Sequence, residues 1–183
     1  MQKGFYFDQS RCIGCYTCVV ACKDWHDIPA GPASLRSVVT IEEGKYPDLF
    51  VAFLSLSCGN CAQPLCREAC PAGAITKRSE DGIVVVDKEM CLGKEACGLC
   101  REACPYDAPQ FGAEADARMQ LCNFCLDRLA ENKNPICVDA CPMLALDAGS
   151  LPELTAKYGA TRETAGFVYS EKACPSIIFK GKK

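Results

Sequence analysis

One histidine in 183 residues is too few to build a nucleophile–base pair and a proton relay, where histidine is the usual base. No glycine-rich phosphate loop and no dinucleotide-binding fingerprint occur, so an enzyme acting alone is not expected. No apolar run approaches the roughly 20 residues that span a bilayer. The longest, Leu49 to Leu56, is interrupted by Ser55 and suits a buried strand. The 20 basic and 23 acidic residues leave a formal net charge of −3 and no basic patch, which argues against nucleic acid as a partner. The opening residues, Met1 through Phe5-Tyr6-Phe7, are too short and wrongly flanked for the apolar core of a signal peptide. A membrane span and an export signal of its own are therefore not expected.

Cysteine is what the sequence has in excess, 17 of 183 residues. Sixteen fall into four groups of four: Cys12-x2-Cys15-x2-Cys18-x3-Cys22; Cys58-x2-Cys61-x4-Cys66-x3-Cys70-Pro71; Cys91-x5-Cys97-x2-Cys100-x3-Cys104-Pro105; and Cys122-x2-Cys125-x11-Cys137-x3-Cys141-Pro142. Closely spaced pairs are poor disulfide partners and good metal ligands. Structural zinc needs two widely separated pairs, not three cysteines followed by Cys-x3-Cys-Pro. A run of three with a fourth one helical turn later is the bacterial ferredoxin pattern, in which the fourth cysteine reaches over to the neighbouring [4Fe–4S] cluster. By this crossing rule Cys58, Cys61, Cys66 and Cys104 form one site, and Cys91, Cys97, Cys100 and Cys70 its neighbour. Likewise Cys12, Cys15, Cys18 and Cys141 form one site, and Cys122, Cys125, Cys137 and Cys22 the other. Four [4Fe–4S] clusters, with iron as the metal, are the expectation.

The pattern nests. The fold class expected is α+β, with two bacterial-ferredoxin-like units made of short β-hairpins, cluster loops and short helices. Residues 1–57 supply the first half of one lobe plus a hairpin insertion. Residues 58–106 form the second lobe, 107–149 complete the first, and 150–183 are a C-terminal helix and tail. Phe5-Tyr6-Phe7-Asp8 before Cys12 echoes Val84-Val85-Val86-Asp87 before Cys91, an internal repeat of strand, aspartate and cluster loop. Val38–Glu42 with Leu49–Leu56, and Ala74–Lys77 with Ile83–Asp87 across Asp81-Gly82, read as hairpins. Val19–Asp27 and Leu126–Glu131 read as helices. Ser150-x2-Glu153 is a capping box opening a last helix with Leu151, Leu154 and Tyr158 on one face and Gly159 as its stop.

Several stretches resemble one known family. Gly4-Phe5-Tyr6-Phe7-Asp8-Gln9-Ser10-Arg11-Cys12, Val20-Ala21-Cys22-Lys23-Asp24, Leu54-Ser55-Leu56-Ser57-Cys58, Cys104-Pro105-Tyr106-Asp107-Ala108-Pro109-Gln110 and Pro135-Ile136-Cys137-Val138-Asp139-Ala140-Cys141-Pro142 are similar to the four-cluster electron-transfer subunit of the dimethyl sulfoxide reductase family. The resemblance runs to about Tyr158. It implies a non-catalytic subunit of anaerobic respiration that passes single electrons to or from a molybdopterin (molybdenum or tungsten) catalytic subunit. A membrane anchor or soluble carrier stands at the other end. It also implies that the protein is either cytoplasmic or exported bound to a twin-arginine-carrying partner, with membrane association only through a partner. Two other readings are a ferredoxin-like partner of a tungsten aldehyde oxidoreductase or hydrogenase, and a non-redox, zinc-stabilised interaction module.

The third motif departs from the family by placing five residues, Leu92 to Ala96, between its first two cysteines. Either the segment bulges and Cys91 still ligates, or Cys91 is free and a [3Fe–4S] cluster results. Its place directly after a strand, like that of Cys12, favours ligation. Cys174 is expected as a small buried hydrophobe, His26 as a helix-end or interface residue, and Trp25 as packing. Lys23 and Arg11 are read as solvated charges near a cluster loop, and Arg36, Arg67 and Arg101 as surface charges or partner contacts.

Overall fold

Strand β1 (Lys3–Asp8) is where the two ends of the protein meet, and the rest of the fold is arranged about it. The computed structural model describes all of residues 1–183. After β1 come α1 (Thr17–Trp25), β2 (Arg36–Glu43), β3 (Phe50–Ser57), α2 (Leu65–Glu68), β4 (Ile75–Lys77), β5 (Val84–Val86) and α3 (Leu99–Ala103). The second half adds α4 (Leu126–Ala130), α5 (Ile136–Asp139), β6 (Leu146–Ser150), α6 (Leu151–Tyr158) and β7 (Ile177–Lys180). The class is α+β, with short helices and small sheets.

Three sheets form, in the orders β6-β1-β7, β2-β3 and β4-β5. β1 pairs antiparallel with β6, Lys3 opposite Ser150 and Phe7 opposite Leu146. It pairs parallel with β7, Phe5 opposite Ile177 and Asp8 opposite Lys180. Side chains alternate faces along a strand. Phe5 and Phe7 therefore enter the main core, while Tyr6 faces the other way and stacks on Tyr158 of α6 at 3.6 Å between ring centres. The capping box holds: the Ser150 hydroxyl accepts from the Glu153 N–H, and Gly159 ends the helix at φ 87°. The tail is more than a helix and a loose end. Ile177-Ile178-Phe179 is a short β-branched and aromatic run that completes the sheet, and the buried Gln9 side chain bonds the tail at Thr164 and Ala165.

Helix lengths follow from one residue type. Proline disfavours helical geometry in the residue before it. α2, α3 and α5 accordingly span four or five residues and stop at Cys70-Pro71, Cys104-Pro105 and Cys141-Pro142, with Cys104 already extended (φ −86°, ψ 116°). Cys22 is followed by Lys23, and α1 runs on for nine residues. The repeat of strand and aspartate has a local cause as well. Asp8 accepts from the Ser10 N–H and Asp87 from the Glu89 N–H, the same turn closing both strands into the loops that follow.

The β2–β3 hairpin, in full register from Arg36↔Ser57 to Glu43↔Phe50, lies over the first cysteine loop. A Cβ at Gly14, which has φ +68°, would sit 2.5 Å from the Phe53 ring; glycine is required there by both backbone and space. One core of 26 buried residues includes cysteines from all four motifs together with Phe5, Phe7, Leu54, Ile83 and Phe124.

Candidate metal centres

Four cysteines ring each of three small, nearly dry cavities. One is lined by Cys12, Cys15, Cys18 and Cys141 with Phe7, Val38 and Ser55. A second is lined by Cys58, Cys61, Cys66 and Cys104 with Val84 and Leu121. The third is lined by Cys70, Cys91, Cys97 and Cys100 with Ile75, Val86 and Phe111. The remaining four, Cys22, Cys122, Cys125 and Cys137, are all buried. Cys122, Cys137 and Cys125 neighbour Cys22. Each grouping joins cysteines from two different motifs. Cys91 stands in its ring despite the five-residue spacer, and its sulfur accepts from the Met119 N–H. Cys174 lies outside the four rings but close to the second motif, its carbonyl accepting from the Ala62 N–H at 2.8 Å; it is half-buried rather than buried, at φ +50°, its thiol donating to the Glu171 carbonyl.

The four groups form a row. Cys18 neighbours Cys141 and Cys137, Cys58 neighbours Cys122, and Cys66 neighbours Cys104 and Cys100. The two middle groups hold most of the deeply buried cysteines. The end groups are more open, and Cys15 is exposed. Exposed apolar side chains collect at the ends: Ile13, Tyr16, Val20, Met143 and Leu144 around the first group, and Met90, Leu92 and Leu99 around the last.

The donor set suits a metal–sulfur core. Burial pushes the thiols of Cys61 and Cys100 up to about 11 and those of Cys66 and Cys125 up to about 12. Thiolates at these positions are stable only against a compensating cation, and metal uptake must release protons. In three of the groups the four cysteines line a space rather than a point, which suits a multi-atom core. Backbone N–H groups aim at the sulfurs, from Asn60 to Cys58 at 3.4 Å and from Ala145 to Cys141 at 3.3 Å. Such bonds are among the main determinants of cluster potential.

Other expectations need correction. Arg36, read as a surface or partner-facing charge, is 2% exposed. It begins β2 on the face turned toward the cysteines, where the hairpin folds it inward. Nothing in Leu35-Arg36-Ser37 signals this; the clue lay across the hairpin, in the alternation Ser55-Leu56-Ser57. Trp25 is 42% exposed, its indole N–H on Asp127 and its ring under Arg128. His26 does cap α1, and its Nε2 also lies 3.3 Å from the Cys125 sulfur. Lys23 and Arg11 reach the carbonyls of Gly31 and Leu144. Arg101 is exposed and pairs with Asp107. The buried Asn60 was missed. Its amide oxygen accepts from Val84 N–H and its carbonyl from Gln2 and Ser176, tying the second motif to both ends of the protein. The largest open cavity, ≈ 570 Å³, contains no cysteine; it is a polar groove between Lys3, Arg78 and Asp81 on one side and Asn132 to Pro135 on the other.

The sequence matches the family model of a 4Fe-4S dicluster domain over residues 49–151 and that of a 4Fe-4S binding domain over residues 3–24. It is 42% identical over 187 residues to the B subunit of the anaerobic dimethyl sulfoxide reductase of Escherichia coli (strain K12), covering 98% of this protein and 88% of that one. It is 41% identical to a thiosulfate reductase electron transfer subunit of Salmonella typhi, over 80% of this protein and 74% of that one. A formate dehydrogenase iron-sulfur subunit of Wolinella succinogenes is 38% identical, over 79% of this protein and 80% of its own length.

Proposed function

The protein belongs to the family of iron–sulfur subunits that includes the B subunit of anaerobic dimethyl sulfoxide reductase, and from that membership we propose that it relays single electrons between a molybdopterin catalytic subunit and a second redox partner. It is an electron-transfer subunit and not itself a catalyst; its cofactors are [4Fe–4S] clusters, four per molecule. The observation that carries the reading is the succession of four cysteine groups, with six of the eight buried cysteines in the two middle groups and the one exposed cysteine, Cys15, in an end group.

In this reading the four groups hold one cluster each, Cys91 included, and residues 58–106 form a unit nested within the other. When bound, each cluster accepts and returns one electron at a time. The protein's own residues do the rest. The crossed motifs fix the spacing of the row. The apolar linings keep water out, and the N–H groups of Asn60, Met119 and Ala145 stabilise thiolate charge. The apolar side chains at the two ends are where partners bring their own redox centres close. No helix is long and apolar enough to cross a membrane.

Iron and acid-labile sulfide on anaerobically purified protein test this, with EPR of the isolated and reduced forms. About 16 of each per molecule, coupled signals on reduction and no three-iron signal support the reading with Cys91 as ligand. About 15 iron with a three-iron signal removes Cys91 from the set. Stoichiometric zinc with little iron overturns the reading. Pterin and molybdenum or tungsten in the co-purified partner identify the catalytic subunit, and their absence from a stable complex rejects it.

A further inference from the structure

Arg36 is a buried cation with no carboxylate beside it. It is 2% exposed and takes part in none of the seven ion pairs of the molecule. A buried charge without a counter-charge is among the most destabilising things a protein can hold. Its guanidinium lies over the Phe5 ring at 4.9 Å, which offsets a small part of that cost. The groups that do face it are sulfur: Cys137, Cys18, Cys122 and Cys22, drawn from the first two groups of the row.

The contacts are directional. One terminal nitrogen donates to Ser55 Oγ at 3.1 Å and the other to Ser57 Oγ at 3.0 Å. Both serines lie on β3, Ser57 directly opposite Arg36 and Ser55 two residues earlier on the same face. A guanidinium only donates, so each serine oxygen is an acceptor here and its hydrogen is left to give. Ser55 Oγ lies 3.5 Å from the Cys18 sulfur, and the Ser57 side chain is turned toward Cys122. Cys18 belongs to the first group and Cys122 to the second. The Nε of Arg36 is the only buried side-chain nitrogen or oxygen without a hydrogen-bond partner. An orphan donor among four cysteines is what a sulfide-bearing group would satisfy.

We propose that Arg36 is a positioning residue that serves as the common counter-charge of the first two cluster sites, with Ser55 passing its polarity to Cys18 and Ser57 to Cys122, so that both sites are held at higher reduction potential than their thiolate ligation alone would set. A cation and two donated hydrogen bonds stabilise the more negative, reduced form of each site most. The other two sites, beyond Cys58, lie outside these contacts.

The test rests on the ligation proposed above and is arranged to fail separately from it. Redox titration followed by EPR is run on the intact complex for wild type, Ser55→Ala, Ser57→Ala, Arg36→Lys and Arg36→Met, with iron and sulfide measured on each. The expected result is that Ser55→Ala lowers the potential of one signal and Ser57→Ala that of a different one. Arg36→Met lowers both of these by at least about tenfold in the one-electron equilibrium, 59 mV, and Arg36→Lys recovers part of the loss. The remaining two signals do not move. Full iron with all four potentials unchanged in both serine variants and in Arg36→Lys overturns the role of Arg36 and leaves the clusters standing, even where Arg36→Met does not fold. Shifts spread evenly over all four signals overturn it as well. Absence of iron from the wild type overturns the ligation itself.

Discussion

The inner pair of motifs and the outer pair solve one problem with different means. The inner pair, Cys58 to Cys104, lies on one continuous stretch with its own hairpin, β4–β5. The outer pair is split, Cys12 to Cys22 at one end and Cys122 to Cys141 at the other, and is joined by β1 lying between β6 and β7. Each pair also has a cation beside its sulfurs, and there they diverge most. Lys77, at the inner pair, is half-buried, and all three donors are engaged at 2.8 Å by the Gln2 amide and the carbonyls of Cys61 and Gly82. Arg36, at the outer pair, is buried and donates to the Ser55 and Ser57 hydroxyls, of which Ser55 lies 3.5 Å from the Cys18 sulfur. A stretch that closes on itself can satisfy a cation with its own backbone. A split unit roofed by an inserted hairpin must bring side chains, and only a planar, two-ended guanidinium can serve two sites at once.

The comparison can be broken at its base by removing a crossing ligand. Cys70→Ser takes a sulfur from the ring of Cys91, Cys97 and Cys100, not from its own motif. The expected outcome is loss of iron from the purified protein, with the EPR change in the same cluster that Cys97→Ser perturbs; a change instead in the cluster that Cys61→Ser perturbs would mean that the ligands do not cross. Next in size is Phe5→Ala. Phe5 supports Arg36 and packs at 4.4 Å on Phe124. Truncation there should cost about 3–5 kcal/mol in denaturant unfolding, and Phe5→Leu markedly less.

Acid separates the two pairs further. Burial pushes the Asp8 carboxyl up, but hydrogen bonds from Ser10 and the Lys180 ammonium outweigh it and hold the pKa below the usual value. A depressed carboxylate contributes stability above the unfolded pKa, about 3.9, that is lost as pH falls through the folded one. Asp8→Asn should therefore destabilise by about 1–3 kcal/mol at neutral pH, and its gap from wild type in urea midpoint should close below roughly pH 4. A gap that stays constant to lower pH would show that the ion pair to β7 is not what stabilises the three-stranded sheet. Smallest is Arg101→Ala on the inner pair, whose partner Asp107 is equally exposed; a change of about 0.5 kcal/mol or less is expected, and it should vanish at high salt.

Much of the site was legible before the fold. The crossing rule names the same twelve cysteines that line the three small cavities; that they hold clusters is the reading proposed above. The hairpins and the capped helix α6 were legible because turn and cap chemistry is local. β6 was not, since Leu146-Asp147-Ala148-Gly149-Ser150 has little strand propensity and is a strand only because β1 lies beside it. Nor was β7, whose Ile177-Ile178-Phe179 run is too short to argue from alone.

Spacing within each motif, together with proline after the last cysteine of three of them, was enough to suggest how the cysteines group and to determine how long the helices that carry them run. Those features depend on backbone reach and local sterics, which travel with the sequence. Tertiary structure alone decided that the four groups lie in a row with Cys15 exposed in an end group, that the tail closes the sheet, and that Arg36 is interior. Each of these depends on which surfaces face each other between segments far apart in sequence. A charge's environment is set by those facing surfaces and not by its neighbours along the backbone.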